Sequence, residues 1–477
     1  MNITKNSIRL HASAKGVITH FLYLPGNNRV ENVVKRIENL NEQEVDLCME
    51  KVMKNFAARH RNIEKTFLNH FSRIEDQYGK NLEHFSLQKK LLLGAFFTKE
   101  YSIQAAALFN PSIVPHPDQT NLKPGKQRFV MSLRATGEGH ISSIVFQTGV
   151  VDTEANIRLD KTFGYFTCLE KKDNTIYTKD FVCKRAVTFS SFNKTVLDVL
   201  PASFTSAEVQ LIFKSIAPHD PLLNDSISII ENILDTNYEL ENSSYLPINE
   251  KVIFPNAKAE KMGMEDVRFV LFNDEKEGCY YGTYTAYDGW HIKTQLIETK
   301  DFIDFKTRTL YGAAVSDKGM ALFPEKINEK YVMISRQGGE KINIMFSDNL
   351  YFWENFQVLM EPRYTWELVQ LGNCGSPIKT EKGWLLLTHG VGAMRTYVIS
   401  AILLDLHDPS KIIGRLNRPL IEADENDREG YVPNVVYTCG LMRHENLLII
   451  PYAVSDSATA FATVELNELL NEMEDEY

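Results

Sequence analysis

Two hydrophobic periods alternate along the chain. A short apolar alternation, Val17 to Leu24, closes at Pro25-Gly26-Asn27, and from there to about Thr98 the period is helical. Val30, Val33, Val34 and Ile37 share one stripe; Val45, Cys48, Val52 and Phe56 a second; Ile63, Phe67, Phe71 and Ile74 a third. These spacings predict about four amphipathic helices, broken by polar segments such as Asn39-Leu40-Asn41. At Phe109-Asn110-Pro111-Ser112 the pattern shortens to strand length, and Arg128–Arg134 and Ile141–Phe146 read as paired strands around the polar loop 135–140. A helical period returns at about 190–240, with Val209, Ile212, Phe213 and Ile216 on one face.

Beyond Lys251 a unit repeats. A short strand around Asp266 turns at Asn273 to Gly278 and returns as Cys279–Tyr287. The segment around Phe323 turns at Asn328-Glu329-Lys330 and returns as Tyr331–Arg336. Ser376–Lys379 turns at Glu381-Lys382-Gly383 and returns through Trp384 to His389; Val432–Val435 is followed by a turn at His444-Glu445-Asn446 and the return Leu447–Tyr452. Asp266, Phe323, Pro377 and Asn434 hold similar places, 57, 54 and 57 residues apart. Each return leads into a third and usually a fourth strand, the signature of propeller blades with long loops. Phe109–Gly149 has the same layout, which makes five units. The expected fold is mainly β: a five-bladed β-propeller over 109–477, a largely helical extension over 1–108, and a helical insertion at about 190–240 between the first two blades.

Composition narrows the function. A net charge of −10 argues against a general nucleic-acid surface. No apolar run reaches the roughly 18 residues that cross a bilayer, and the N-terminus reads as no signal peptide. The six cysteines form no CxxC pair, so reduced thiols, no metal site and a cytoplasmic location are expected. The N-terminal helices carry no catalytic signature, and packing against a neighbour or in a homo-oligomer is their expected job.

In a propeller, equivalent loops converge on one mouth of a central funnel. Asn110, Asp266, Lys318, Lys379 and Asn434 should therefore meet Arg134, Arg336, His389 and Tyr452, with Asp456 just beyond. One acid among cations and amides suits a neutral polyol beside an anion. The bland readings are an Asp266 that caps its loop or pairs with Arg268, solvated charges at Arg336 and Lys379, a structural His389, and blade-core tryptophans at 353, 366 and 384.

Gly263-Met264-Glu265-Asp266-Val267-Arg268, Ala321–Lys326, Gly372–Gly392, Ala401–Leu406 with Asp408-Pro409, and Glu429–Tyr437 together resemble glycoside hydrolase family 130. The resemblance implies a five-bladed propeller, and mostly phosphorylases of β-mannosides with some β-mannosidases. It makes Asp266 the acid, with Val267 where the family usually has Pro, and passes its proton through the mannosyl 3-hydroxyl. It makes Arg336, Lys379, His389 and Lys318 the phosphate-binding groups; Gly319 stands where relatives often carry Asn. Asn110, Arg134 and Asp456 would hold the terminal mannosyl unit, with Arg268 and Asn434 as further substrate-binding candidates. The expected activity is inverting phosphorolysis of β-manno-oligosaccharides, with inorganic phosphate as co-substrate and no other cofactor. An inverting β-mannosidase would instead use Glu325 or Glu361 as base, and a non-catalytic sugar-binding propeller would need no acid. Phosphorolysis requires Asp266 protonated at the start, which seclusion favours and an inward Arg268 opposes.

Overall fold

The helical stripes fold as helices in the computed structural model, which describes residues 1–78, 81–162, 164–216, 223–241, 246–273 and 278–473. The centre of the turn expected at Asn273 to Gly278 and part of the insertion lie outside these residues. Asn27–Glu38, Glu42–Phe56, Ile63–Tyr78 and Leu87–Phe96 enclose a core of their own, led by Val34, Phe67, Phe71 and Leu92. Asn41 and Glu44 form a reciprocal capping box at the second helix, a device worth about 1 kcal/mol. The buried stripe of that helix runs through Val45 and Met49, whereas Phe56 at its end is exposed. The extension is pinned to the rest by Arg61, whose Nε (2.6 Å) and Nη2 (2.8 Å) donate to the buried carboxylate of Glu250. No described helix is long and apolar enough to cross a membrane.

The remainder is mainly β. Most of the described strands form five antiparallel runs; the pair Ile176–Thr178 and Ser203–Thr205 is among those outside them. The first is Ala107–Pro115, Lys126–Thr136, Ser142–Asp152 and Ile157–Leu159. The second, Gly263–Phe272, Cys279–Tyr287, Ile292–Thr299 and Phe305–Thr309, joins the first through a parallel pairing of Gly263 with Ser142. The third is Ala321–Leu322, Tyr331–Ser335, Ile342–Ser347 and Gln357–Met360. In the fourth, Gln370–Asn373 and Ile378–Lys379 share one partner, Trp384–Val391, followed by Tyr397–Leu404 and Ile412–Arg415. The fifth has Val436–Tyr437 and Met442–His444 against Leu447–Val454, then Ala458–Glu465.

The fifth run is completed from the other end of the chain. Ile3–His11, which the sequence pattern leaves in the extension, pairs antiparallel with Ala458–Glu465. Lys5 (2.8 Å) and Arg9 (2.7 Å) hold the fully buried carboxylate of Asp427, and together they staple the two ends. The strand is missed because its outward positions are polar and its apolar ones are only half-buried.

The insertion begins earlier than its hydrophobic stripe suggests. Lys179–Ala186, Ser206–Ile216 and Asn224–Thr236 pack around Val182, Val209, Phe213 and Ile230. The chain then adds Glu239–Glu241 to the outer edge of the second run, beside Phe305–Thr309.

The inner strands aim the site. Opposite Arg134 and Ser132, the first run inserts an extra residue between Phe109 and Ser112; the second does the same between Glu265 and Arg268. At these bulges Asn110 (φ 48°) and Asp266 (φ 55°) take left-handed backbone, which re-aims their side chains. Gly319 (φ 90°), Gly375 (φ 110°) and Asn434 (φ 62°) are among the left-handed residues of the other three runs. Gly375 cannot be replaced cheaply, because a Cβ there would stand 2.4 Å from the Cys439 carbonyl.

Candidate functional site

On one side of the site lies a carboxylate cluster. Asn110 Nδ2 donates to Asp266 Oδ1 at 2.6 Å, and Arg134 Nη1 reaches the same oxygen at 3.2 Å. The rest of the Arg134 fork is engaged: Nη2 with Glu265 Oε1 (2.8 Å), Nε with Ser142 Oγ (2.9 Å). Its plane lies 5.0 Å from the Phe109 ring centroid. Lys318 Nζ donates to the other oxygen of Glu265 at 2.7 Å.

Burial alone would push the Asp266 carboxyl up. Arg134, Arg268, the Asn110 amide and Lys318 outweigh it and hold the group below the ordinary aspartate value. Asp266 is therefore ionised in this arrangement, whereas the protonated acid is expected at the start of phosphorolysis; Arg134 bonds the carboxylate directly, and Arg268 adds its charge. Asp456 behaves oppositely. Burial, then the negative Asp266, push its carboxyl up to about 6 against Arg134 and Arg395. Two carboxyls of one site are thus driven apart.

That separation has a consequence for stability. Between the ordinary value of 3.8 and about 6, folded Asp456 keeps a proton that the unfolded chain releases. Its contribution is fully present below the lower value and is lost as pH rises through the upper one. Thermal unfolding between pH 4 and 6 should show this loss in the wild type and a smaller one in Asp456→Asn; equal slopes would contradict the assignment.

The other side of the site is cationic and aromatic. Buried Arg268 donates from Nη2 to the Tyr437 hydroxyl (2.5 Å) and from Nη1 to the Asp266 carbonyl (2.8 Å). Arg336 Nη1 lies 3.1 Å from His389 Nε2. His389 is buried, edge-on to Tyr437 at 4.9 Å and stacked on Tyr397 at 5.8 Å between centroids. Gly372 makes this approach possible, since a Cβ there would fall 2.2 Å from His389 Cε1 and 3.1 Å from Arg336 Cδ. Burial, then Arg336 and Arg268, push the imidazole well below its ordinary value. His389 is therefore neutral. Because Arg336 can only donate, Nε2 is the acceptor and the proton belongs on Nδ1. His389 thus orients Arg336 and adds no positive charge of its own, which corrects its place among the basic groups.

Among the described residues no carboxylate bonds Arg336, and the Nε atoms of Arg336 and Arg268 are buried without a hydrogen-bond partner. Positive charge that no described side chain neutralises is therefore left in this corner at Arg336. No described group of three or more His, Cys, Asp and Glu side chains is placed to hold a metal ion.

Not every expected residue arrives here. Lys379 is exposed and donates to Glu325 (2.6 Å), 5.4 Å from the Trp384 ring centroid. It pairs with Trp384 whereas Gly372 pairs with His389, so about 17 Å of strand separates the two positions at about 3.4 Å per residue. Lys379 and Glu325 instead line a 270 Å³ cavity at the far end of the inner strands, to which all five runs contribute. The repeat spacing set Pro377 in the place of Asp266 and brought Lys379 to the same mouth, but the left-handed residue before Ile378–Lys379 is Gly375, four positions ahead of Lys379. Glu361, the other candidate base, is exposed and paired with Lys341 (2.6 Å). Tyr452 is buried away from the site, within the field of Asp427 and Lys5. Asn434 is half-buried, and its backbone ties Tyr397 (3.0 Å) and Arg428 (3.1 Å). Sequence reasoning passed over Tyr437, although it stands in the motif string three residues past Asn434.

Asp266, its arginines and the neutral His389 thus lie together at one end of the five antiparallel strand runs. Residues 227–475 match the family model described as β-1,4-mannooligosaccharide phosphorylase, glycoside hydrolase family 130. The chain is 34% identical over 235 residues to a 1,2-β-oligomannan phosphorylase of Thermoanaerobacter sp. (strain X514), covering 47% of this chain and 76% of that one. It is 29% identical over 242 residues to a β-1,2-mannobiose phosphorylase of Listeria innocua, covering 49% and 67%. Over 207 residues it is 28% identical to a β-1,4-mannooligosaccharide phosphorylase of Ruminococcus albus, covering 41% and 62%. The chain belongs to glycoside hydrolase family 130.

Proposed function

We propose that the chain is an inverting β-mannoside phosphorylase built on a five-bladed propeller, with residues 27–97 as a helical appendage and 179–241 as an insertion. The observation that carries this reading is Arg336, a guanidinium with a buried unpartnered Nε, held by a neutral histidine and bonded to no described carboxylate. A hydrolase needs a second carboxylate to activate water, and both candidate bases, Glu325 and Glu361, are tied to lysines away from Asp266. A phosphorylase needs cations that aim an already nucleophilic oxyanion.

In this reading Asn110, Arg134 and Asp456 hold the terminal mannosyl unit, and Arg268, Arg336 and Lys318 receive phosphate. A phosphate oxygen attacks the anomeric carbon from the face opposite the glycosidic oxygen. The bond to that oxygen breaks, and the oxygen takes a proton that Asp266 supplies through the mannosyl 3-hydroxyl. The products are α-mannose 1-phosphate and a chain shorter by one sugar. Phosphate arriving near Arg268 offsets part of the positive field that keeps Asp266 ionised, which raises its proton affinity when the proton is needed. The relatives named above act on both β-1,2 and β-1,4 linkages, so a panel of acceptors decides the bond made. Incubated with α-mannose 1-phosphate and mannose or manno-oligosaccharides, the protein should release inorganic phosphate and form one linkage; no phosphate release with any acceptor would contradict the proposal.

A further inference from the structure

The turn between Cys279–Tyr287 and Ile292–Thr299 stands at the Asp266 end of the second run, because Tyr287 pairs with Gly263 three residues before Asp266. On its tip Trp290 is 89% exposed, unlike the core tryptophans 353 and 384. The tip is rigid. The Asp288 carboxylate accepts from the N–H groups of Trp290 and His291, both at 2.7 Å, and Gly289 takes φ 104°. A large aromatic face is thereby presented to water on a preorganised turn.

Directly after this tip, Ile292 and Lys293 enter a cavity of about 1000 Å³. One wall comes from the helical insertion, where Phe189 is 43% exposed, and the other from the second and third runs. Lys293 Nζ crosses between the walls to Asn232 Oδ1 at 3.1 Å. The loop 312–318 separates this cavity from the site: Val315 lines the cavity, while Lys318 bonds Glu265. Thr294 Oγ1 donates to the Asp317 carbonyl (3.3 Å) and fixes the loop against the second run.

The lining suits an uncharged chain of sugars. Aromatic side chains stand among amides and hydroxyls (Asn232, Asn349, Thr188, Thr309), and two of the three charged side chains are engaged, Lys184 with Asp180 at 2.7 Å and Lys293 with Asn232, the third being Glu354. The volume sits at the top of the range of about 300–1,000 Å³ usual for small-molecule sites, ample for more than one sugar ring.

We propose that this cavity seats the outer, reducing-end sugars of longer β-mannoside chains, with Trp290 as the stacking platform over which the chain leaves the site. The direction of the chain rests on the phosphorylase reading, which puts the non-reducing mannosyl unit beside Asp266. The helical insertion then sets a preference for chain length. The test is calorimetric titration of Asp266→Asn protein with β-1,2- and β-1,4-linked manno-oligosaccharides from disaccharide to hexasaccharide, repeated with Trp290→Ala or Phe189→Ala added. Affinity should rise with length in the parent. Each added substitution should weaken hexasaccharide binding by about three- to tenfold and leave the disaccharide unchanged. Equal effects on both lengths, or none, overturn the proposal. Phosphorolysis of the disaccharide, assayed with Asp266 intact, reports separately on the site: its absence beside length-dependent binding overturns the phosphorylase reading and keeps the cavity. Failure to bind any length overturns both.

Discussion

Asp266→Asn should lower turnover by about 10²–10⁴-fold, the usual worth of general acid catalysis, and leave fold and sugar affinity near those of the wild type. The backbone accepts the change. Asp266 sits at φ 55°, where asparagine is among the few side chains tolerated, and Asn110 adopts the same conformation at the matching bulge of the first run. The neighbours also remain satisfied: Arg134 keeps Glu265 (2.8 Å) and Ser142 (2.9 Å), and Arg268 still reaches the carbonyl of residue 266 (2.8 Å). What is lost is the ionisable group, its charge beside Arg134 and its capacity to carry the proton. Asp266→Ala would confuse the result, because it adds left-handed strain and leaves the Asn110 amide without its acceptor. Single-turnover rates with a mannoside, alongside thermal unfolding, make the comparison; a loss below tenfold in a folded Asp266→Asn protein would remove the residue from catalysis.

Arg336→Ala should act on phosphate and not on sugar. A hydrogen bond to a charged group contributes about 1.5–3 kcal/mol, so apparent phosphate affinity should fall roughly ten- to a hundredfold with mannoside saturating. The mannoside KM at saturating phosphate should change little, since Asn110 and Arg134 stay in place. Arg336→Lys should not rescue the loss: His389 Nε2 meets one prong of a planar fork at 3.1 Å, and a lysine cannot satisfy the imidazole and bind an anion with the same geometry. Lys379→Ala is the internal control. Its Nζ faces Glu325 at the opposite end of the inner strands, and phosphate kinetics should be unchanged. An Arg336→Ala enzyme with wild-type phosphate dependence would make the arginine structural.

Much of this molecule is written in its hydrophobic periods. The helical stripes of the extension fold as their spacing indicates, as do the returning arms after Lys251, whereas the expected strand at Val432–Val435 forms only at Val436–Tyr437. What the pattern could not place depends on partners far away in the chain. Ile3–His11 is a weak strand until Ala458–Glu465 lies beside it, and its Lys5 and Arg9 read as surface charge until Asp427 is buried between them. Lys379 shows the reverse error. The repeat length is right to within a few residues, but a strand carries position at about 3.4 Å per residue, so four residues move a side chain by about 14 Å, toward the other end of the inner strands. Protonation was the least legible property. The motif names Asp266 as an acid, yet its ionisation is fixed by Arg134, 132 residues earlier, and the neutrality of His389 by its burial and by two arginines from other runs.

The central claim is tested most directly by the fate of the mannosyl group. The protein is incubated with a β-mannobiose it accepts, with and without inorganic phosphate, and the first-formed products are identified by nuclear magnetic resonance. Phosphorolysis predicts α-mannose 1-phosphate and free mannose in equal amounts, with no turnover when phosphate is left out. Turnover at the same rate in phosphate-free buffer, yielding only free mannose, would contradict it and make the chain a mannosidase.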